Sequence, residues 1–238
     1  MTDSDIPLKG KTGPVYGAAV DLGTSTIVAS LIDLRSGERT GPVSAPNPQA
    51  GYGSDIITRA TAALSSEKVR EALRELAAGA INRLLQRLHK DTGQIYRLVL
   101  GGNAVMTHLF AGEPLDALMT APYRSAFTDM RTFAARETGL RLHPAAKVTV
   151  LPAIGSFIGG DISADLLVCR ELFNGKKNLF LMDLGTNCEL VLQSPNGVKA
   201  ASAPAGPVME GAGIAYGMSA GPGAITDLVY DRKNGFCR

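Results

Sequence analysis

The sequence predicts an α/β protein built from two structurally related halves. Apolar strands alternate with amphipathic helices along the chain. The pattern Asp-Leu-Gly-Thr occurs at residues 21–24 and again at residues 183–186, each time between two apolar strands, which indicates an internal duplication. We therefore expect a polar tail or linker at residues 1–14, a first half at residues 15–176 and a partial second half at residues 177–238.

The composition argues against several classes of protein. The chain has 238 residues and 45% hydrophobic content, enough for a substantial core. Its net charge is +2, and Lys and Arg are scattered rather than clustered, so nucleic acid is a poor candidate partner. No apolar run approaches the roughly 20 residues that cross a bilayer, and residues 1–13 lack the apolar segment of a secretory signal. We expect a cytoplasmic protein without a membrane partner.

The first half begins with a predicted hairpin. Residues 15–20 and 26–34 are β-branched or apolar strands that flank the short turn Gly23-Thr24-Ser25. A Pro/Gly-rich stretch at residues 41–53 then leads to Ser54, a plausible helix N-cap. Beyond it, apolar residues recur at spacings of three and four, which predicts one long amphipathic helix. This apolar stripe consists of Val69, Leu73, Leu76, Ala80, Leu84 and Leu88.

The rest of the first half continues the alternation. Residues 95–100 and 148–151 are predicted strands, and residues 104–110 are a predicted helix. We interpret residues 112–146, which have mixed polarity and three prolines, as an insertion rather than core. A last helix is predicted over residues 158–173. Its apolar positions, which we expect to be buried, are Ile162, Leu166, Val168 and Leu172.

The repeated motif suits phosphate binding. Glycine lets the backbone approach a phosphate closely, consecutive turn amides form an anion-binding concavity, and the threonine hydroxyl adds a donor. Asp21 and Asp183, at the strand ends, can hold a Mg²⁺ through its water shell and serve catalysis. A single copy would be equally compatible with a structural turn, whereas two copies favour a nucleotide site. The turn residues expected to contact the nucleotide are Gly23, Thr24, Ser25, Thr26, Gly185, Thr186 and Asn187.

Two further glycine-rich segments are candidates for the same site. Gly159 and Gly160 precede Asp161 at a predicted helix start, where a carboxylate could orient or deprotonate the group that attacks the γ-phosphate. The alternative is that Asp161 only caps its helix. Residues 205–223 are dense in glycine and could line the cleft with Glu210 as their carboxylate, or form a flexible connection. A Walker A loop and a Gly-x-Gly-x-x-Gly after the first strand are both absent, which disfavours P-loop and Rossmann folds.

Taken together, the two Asp-Leu-Gly-Thr motifs and Gly159-Gly160-Asp161 resemble the superfamily of acetate and sugar kinases, heat-shock chaperones and actin. The resemblance implies a ribonuclease H-like, actin-like duplicated fold with mixed sheets flanked by helices. In the sugar kinases of this superfamily, an Asp that starts the helix just before the second phosphate loop is the catalytic base. Asp161 matches that position.

Further stretches resemble the ATPase domain of reductive activators of corrinoid proteins. They lie at residues 47–59 (Asn-Pro-Gln, then Tyr-Gly-Ser-Asp-Ile-Ile-Thr-Arg), at residues 102–108 and at residues 205–212, and the resemblance covers nearly all of residues 15–231. Such activators couple ATP hydrolysis to a one-electron reduction of Co(II) corrinoid protein to Co(I) in methyl transfer. The resemblance implies ATP and Mg²⁺ as cofactors, a corrinoid protein of a methyltransferase system as partner, and a homodimer.

The sequence departs from that family in two respects. Family members usually carry an iron-sulfur module, but Cys169, Cys188 and Cys237 are far apart, so no iron-sulfur cluster is expected within this chain. About sixty residues follow Lys177, so we expect an incomplete second half and ATPase activity that depends on the missing parts. Two alternatives stay open: a small-molecule kinase of the same superfamily, acting on a sugar or carboxylic acid, and a truncated, non-catalytic nucleotide- or partner-binding domain.

Overall fold

A computed structural model of the chain describes residues 13–173, 178–205, 215, 218, 222–225, 229–231 and 235–237. The strands of the first half are β1 (Tyr16–Leu22), β2 (Thr26–Asp33), β3 (Arg39–Pro46), β4 (Ile95–Gly101), β5 (Arg131–Ala134) and β6 (Lys147–Val150). The later strands are β7 (Leu179–Leu184), β8 (Asn187–Ser194), β9 (Gly197–Pro204), β10 (Val229–Asp231) and β11 (Gly235–Cys237). The helices are α1 (Ile56–Ser65), α2 (Glu67–Leu88), α3 (Ala104–Ala111), α4 (Asp116–Met119) and α5 (Gly160–Phe173).

The first half is built around a six-stranded mixed sheet in the order β3-β2-β1-β4-β6-β5. Strands β1, β2 and β3 form an antiparallel meander, and β4 and β6 run parallel to β1. The parallel strands are connected through helices, as parallel pairing requires, and the expected α/β class is confirmed. Because β1 and β4 are parallel neighbours, the residues that follow their carboxyl ends lie at the same edge of the sheet.

The long helix predicted beyond Ser54 is two helices. Asp55, not Ser54, caps α1, since its carboxylate accepts hydrogen bonds from the amides of Ile57 and Thr58 in a capping box. Ser66 then interrupts the helix and caps α2 by accepting a bond from the amide of Val69. Helix α2 has one buried face against the sheet, as the apolar spacing predicts, and this face includes Leu73, Ala77, Ile81, Leu84 and Leu85.

Residues 112–146 contribute to the core, contrary to expectation. Strand β5 pairs with β6 at the edge of the six-stranded sheet, so this segment extends the sheet. The segment also places apolar side chains in the main hydrophobic cluster, because its short elements fold back over α2 and α3. These buried side chains are Leu115, Leu118, Phe127, Ala135, Leu140 and Ala146. That the segment is an insertion relative to related proteins stays a prediction.

The second half begins with an antiparallel sheet in the order β7-β8-β9, which repeats the arrangement of β1, β2 and β3. Helix α5 packs on one face of this sheet through Ile162 and Leu166, which form a small cluster with Val191. Val168 and Leu172, expected to be buried, are 82% and 62% exposed, because no described residues cover that side of the helix. The opposite face of the sheet likewise exposes Phe180, Met182 and Leu184.

The described helices include none with both the length and the apolar character needed to cross a membrane.

Candidate functional site: a cavity between two hairpin turns

The β1–β2 turn and the β7–β8 turn line one cavity of about 400 Å³. The hydroxyls of Ser25 and Thr186 are 2.9 Å apart, which links the two turns directly across the cavity. The two copies of the Asp-Leu-Gly-Thr motif thus face each other, although 162 positions separate them in the chain. The lining residues are Asp21, Gly23, Thr24, Ser25, Thr26, Asn103, Asp161, Asp183, Leu184, Gly185, Thr186, Asn187 and Glu189.

The first turn is anchored by side chains from three other segments. Asn47 donates its Nδ2 hydrogen to the Gly23 carbonyl (2.8 Å), and Arg59 donates Nη1 to the Thr24 carbonyl (2.9 Å). Asn103 donates Nδ2 to Thr24 Oγ1 (2.9 Å), which leaves the threonine hydroxyl hydrogen available for another acceptor. Asn103 also caps α3 by accepting a bond from the amide of Met106, so the helix fixes its orientation.

The second turn is shorter and is supported by backbone bonds. Three residues separate the paired positions Leu184 and Cys188, whereas four separate Leu22 and Ile27 in the first turn. The Gly185 amide donates to the Asn187 carbonyl (2.8 Å). The two copies of the motif therefore differ in turn length and in the way that they are held.

Acidic side chains dominate the charge of the cavity. Asp21 lies at the end of β1, Asp183 at the corresponding position of β7, and Asp161 in the first turn of α5. Glu189 is paired with Asp183 in the β7–β8 register, is 5% exposed and accepts a hydrogen bond from Ser202 Oγ (3.0 Å). The described residues that line the cavity include no Lys, Arg or His. Within the described part of the chain, four carboxyl groups therefore line the cavity with no basic side chain among them to offset their charge.

Burial and the neighbouring negative charges raise the pKa values of three of these carboxyl groups, those of Asp161, Asp21 and Glu189. The pKa of Asp161 is raised to about 7, mainly by burial, and the charges of Glu189, Asp21 and Asp183 add to the rise. A hydrogen bond from the Ile162 amide opposes the rise, because it favours the ionised carboxylate. The pKa of Asp21 is raised by burial and then by Asp183, and that of Glu189 by burial and by Asp183. A bound cation would relieve this repulsion, because it would favour the ionised forms.

Gly159 and Gly160 lie behind the cavity rather than among its lining residues. A Cβ on Gly159 would stand 2.2 Å from the Gly102 carbonyl oxygen and 2.6 Å from the Asn103 Cα. The Gly160 amide donates to the same Gly102 carbonyl (3.0 Å). The geometry at this point requires glycine because the start of α5 packs directly on the backbone that follows β4, and this contact places Asp161 at the cavity.

The structure brings together most of the residues that the sequence singled out. Asp21, Asp183, Asp161 and the seven named turn residues all line the cavity. Glu210 and most of the glycine-dense segment lie outside the described residues. Sequence reasoning missed Asn103 and Glu189 as lining residues. Two signals could have found them: Asn103 follows a parallel strand at the sheet edge where Asp21 lies, and Glu189 stands in the strand after the second motif.

No group of three or more His, Cys, Asp or Glu side chains in the described part of the chain forms a cage for a metal ion. Mg²⁺ does not need such a cage, since it usually keeps several waters and is held by one or two carboxylates together with substrate phosphates. Asp21 and Asp183 both line the cavity and offer oxygen ligands of the kind that Mg²⁺ prefers. The donor set therefore fits a phosphate-bound Mg²⁺.

Comparison with known proteins gives matches along nearly the whole chain. Residues 16–171 match the family model described as the RACo middle region, and residues 177–237 match the C-terminal domain of RACo, described as the ASKHA domain. The solved structure of a reductive activator for a corrinoid, iron-sulfur protein superposes with a TM-score of 0.79 at 33% identity over 92% of this chain. The expected actin-like fold is thereby confirmed.

Two curated proteins are also similar. The corrinoid activation enzyme RamQ of Eubacterium limosum is 36% identical over 224 residues, which cover 92% of this chain. A reductase of the Co(II) methylated amine-specific corrinoid protein from Methanosarcina barkeri is 32% identical over 228 residues, 90% of this chain. This chain spans 37% and 41% of the lengths of these two proteins and 35% of the reductive activator of known structure.

Proposed function

Since this chain belongs to the RACo family, we propose that it binds ATP with Mg²⁺ in the cavity between its two hairpin turns and hydrolyses it. The main support for this proposal is that both Asp-Leu-Gly-Thr turns line the same cavity. Each turn supplies a glycine, a hydroxyl and backbone amides, which are the groups that bind phosphate oxygens. A cavity of about 400 Å³ falls within the usual range for small-molecule sites.

The charge of the cavity favours a cation-bound nucleotide over a free one. Free ATP would bring its negative charge against four carboxyl groups, and the described lining has no Lys, Arg or His to offset it. Asp21 and Asp183 would hold Mg²⁺ through its water shell, and the ion would supply charge neutralisation for the phosphates. We therefore expect nucleotide affinity to collapse when divalent cations are chelated.

Asp161 is the candidate for activating the attacking water. It lines the cavity at the first turn of α5, and its pKa of about 7 is suited to proton transfer near neutral pH. Its Oδ1 accepts a hydrogen bond from the Ile162 amide (2.8 Å), which fixes the carboxyl group and leaves Oδ2 for a water molecule. In its ionised form Asp161 would orient that water and take its proton as the γ-phosphate is attacked.

We further propose that hydrolysis serves corrinoid activation. Similar proteins are a corrinoid activation enzyme, a Co(II) corrinoid protein reductase and a reductive activator, so the partner proposed here is a corrinoid protein of a methyltransferase system. The protein would act as a cytoplasmic homodimer. ATP hydrolysis stimulated by the corrinoid protein, with ADP and inorganic phosphate as products, is the expected result. Phosphorylation of a sugar or carboxylic acid instead would identify a small-molecule kinase.

Asp21→Ala and Asp183→Ala are each expected to weaken Mg-ATP binding at least tenfold, since each removes one of the two carboxylates proposed to hold the cation's shell. Isothermal titration of the 238-residue chain with Mg-ATP measures the effect, and thermal unfolding measures the stability of each variant.

Asp116→Ala is the matched control for these two variants. Asp116 is an exposed aspartate in the first turn of α4 and is not among the residues that line the cavity. Its replacement is expected to leave Mg-ATP affinity unchanged. Wild-type affinity in either Asp21→Ala or Asp183→Ala would contradict the assigned role, and no measurable affinity of the wild-type chain would contradict the proposed function.

A further inference from the structure

A buried arginine lies directly behind the first turn, on the side away from the cavity. The Arg59 side chain is fully buried, and its guanidinium donates to the carbonyls of Thr24 (2.9 Å) and Gly53 (2.8 Å) and to Gln49 Oε1 (3.3 Å). These partners are neutral oxygen atoms. In the described part of the chain no salt bridge joins Arg59 to an acidic side chain.

Arg59 keeps its charge in this environment. Burial lowers its pKa to about 10, so the guanidinium stays protonated at neutral pH. The acidic group that acts on it is Asp55, one turn earlier at the start of α1, and the carboxylate of Asp55 is engaged by the amides of Ile57 and Thr58. Burying a cation among neutral groups costs free energy, so we expect Arg59 to have a role beyond packing.

Three consecutive carbonyls of the first turn are bonded from this buried side. Gly23 accepts from Asn47 Nδ2 (2.8 Å), Thr24 from Arg59 Nη1 (2.9 Å), and Ser25 from the backbone amide of Asn47 (2.8 Å). Asn47 is itself 1% exposed and Arg59 is fully buried, so the donors of these bonds lie in the protein interior.

The orientation of these carbonyls determines where the turn amides point. In a trans peptide unit the N–H points opposite to the C=O, and the cis peptide bonds in the described residues lie elsewhere, at Gly41-Pro42 and Ala121-Pro122. Because the carbonyls of residues 23–25 are directed at these interior donors, the amides of residues 24–26 point the opposite way, and these three residues line the cavity. Successive amides directed at one point form an anion-binding concavity.

We propose that Arg59 and Asn47 are positioning residues of the phosphate site: they hold the first turn so that its amides face the phosphates, and Arg59 supplies fixed positive charge behind them. This inference rests on the proposed function. It explains how a cavity whose described lining has four carboxyl groups and no basic side chain can hold a polyphosphate. The second turn accepts no described hydrogen bond from Arg59 or Asn47; it is held by backbone bonds and by the contact of Thr186 with Ser25.

The test uses Mg-tripolyphosphate, which needs the phosphate site but no adenosine site. Arg59→Lys keeps a positive charge but loses the planar fork that spans the carbonyls of Thr24 and Gly53, and affinity is expected to fall about tenfold. Asn47→Asp keeps the shape and its Oδ1 acceptor for the Gln49 amide, but removes the donor to Gly23 and adds negative charge beside Arg59. It is expected to weaken binding at least as much.

Arg74→Lys is the matched control. Arg74 also donates its guanidinium hydrogens to backbone carbonyls, those of Phe110 (3.2 Å) and Glu137, but it does not line the cavity. Its replacement is expected to lower the melting temperature while leaving tripolyphosphate affinity within about twofold of wild type. A merely structural role of Arg59 would make the two lysine variants behave alike.

Titration calorimetry measures the affinity of each variant for Mg-tripolyphosphate. Circular dichroism shows that each variant is folded at the temperature of the titration. Weakened binding in Arg59→Lys or Asn47→Asp, with Arg74→Lys unchanged, supports the inference. Wild-type affinity in both Asn47→Asp and any folded Arg59→Lys overturns it while leaving the proposed function standing. If the wild-type chain binds Mg-ATP but not Mg-tripolyphosphate, the inference is likewise overturned, and if it binds neither, the proposed function fails.

Discussion

Asp161→Asn is expected to slow ATP hydrolysis by about 10²–10⁴-fold, the usual loss when a general base is removed. The amide keeps the shape of the side chain and its acceptor for the Ile162 amide, but it cannot take a proton. Mg-ATP binding is expected to persist, because Asp21, Asp183 and both turns are unchanged. Phosphate release at saturating Mg-ATP measures the rate, and titration calorimetry measures binding.

The same substitution is expected to stabilise the nucleotide-free protein at alkaline pH. Asp161 has a pKa of about 7 in the folded protein and about 3.8 when unfolded. Between these values the folded state binds the extra proton, so wild-type stability falls as the pH rises from about 4 to about 7 and stays low above that. Asparagine does not titrate, so the gain should be on the order of 2–4 kcal/mol at pH 8 and disappear near pH 4.

Asp165→Asn is the control for both effects of Asp161→Asn. Asp165 stands one helical turn later on α5, and burial and Asp183 raise its pKa, but it does not line the cavity. It is expected to gain some stability at pH 8 and to retain hydrolysis. A similar loss of hydrolysis in both variants, or full activity of Asp161→Asn, would contradict the role given to Asp161.

Gly159→Ala is expected to destabilise the fold by about 3 kcal/mol or more, because overpacking against the backbone cannot be relieved by a side-chain movement. The new Cβ would stand 2.2 Å from the Gly102 carbonyl oxygen. Relief requires α5 to move away from the segment after β4, which would break the bond from the Gly160 amide to Gly102 and displace Asp161. Urea unfolding measures the loss, and Mg-ATP titration of the folded fraction measures the effect on the site.

Gly155→Ala is the matched control for Gly159→Ala. It lies in the same connecting segment, and a Cβ there would meet no atom within 4 Å. Its free energy of unfolding should stay within about 0.5 kcal/mol of wild type. An equally small effect of Gly159→Ala would show that the close approach of the two backbones is not needed to hold α5 in place.

The parts of the fold that were predictable are those with local signals. The two Asp-Leu-Gly-Thr motifs marked both hairpins, because turn residues between apolar strands are recognisable over a few positions. The break between α1 and α2 was missed, since the apolar stripe continues past Ser66 and only the capping bonds of Asp55 and Ser66 show where each helix starts. Burial on α5 was misjudged for Val168 and Leu172, because apolar spacing does not say which neighbours will cover a face.

In the candidate site, too, the residues with local sequence signals could be predicted and the long-range contacts could not. The carboxylates and hydroxyls of the turns could be named in advance, because a repeated motif fixes residue type and spacing together. The bond from Arg59 to Thr24 joins residues 35 positions apart, and that from Asn103 to Thr24 spans 79 positions. Contacts of this kind depend on how the sheet and helices pack, so the resemblance at residues 47–59 could draw attention to Arg59 without assigning it a role.

A crystal structure of the chain with Mg²⁺ and a non-hydrolysable ATP analogue tests the central claim most directly. We expect the phosphates to lie between residues 23–26 and residues 185–187, with the cation on the side of Asp21 and Asp183. Phosphates that contact one turn alone, or a nucleotide bound outside this cavity, would contradict it.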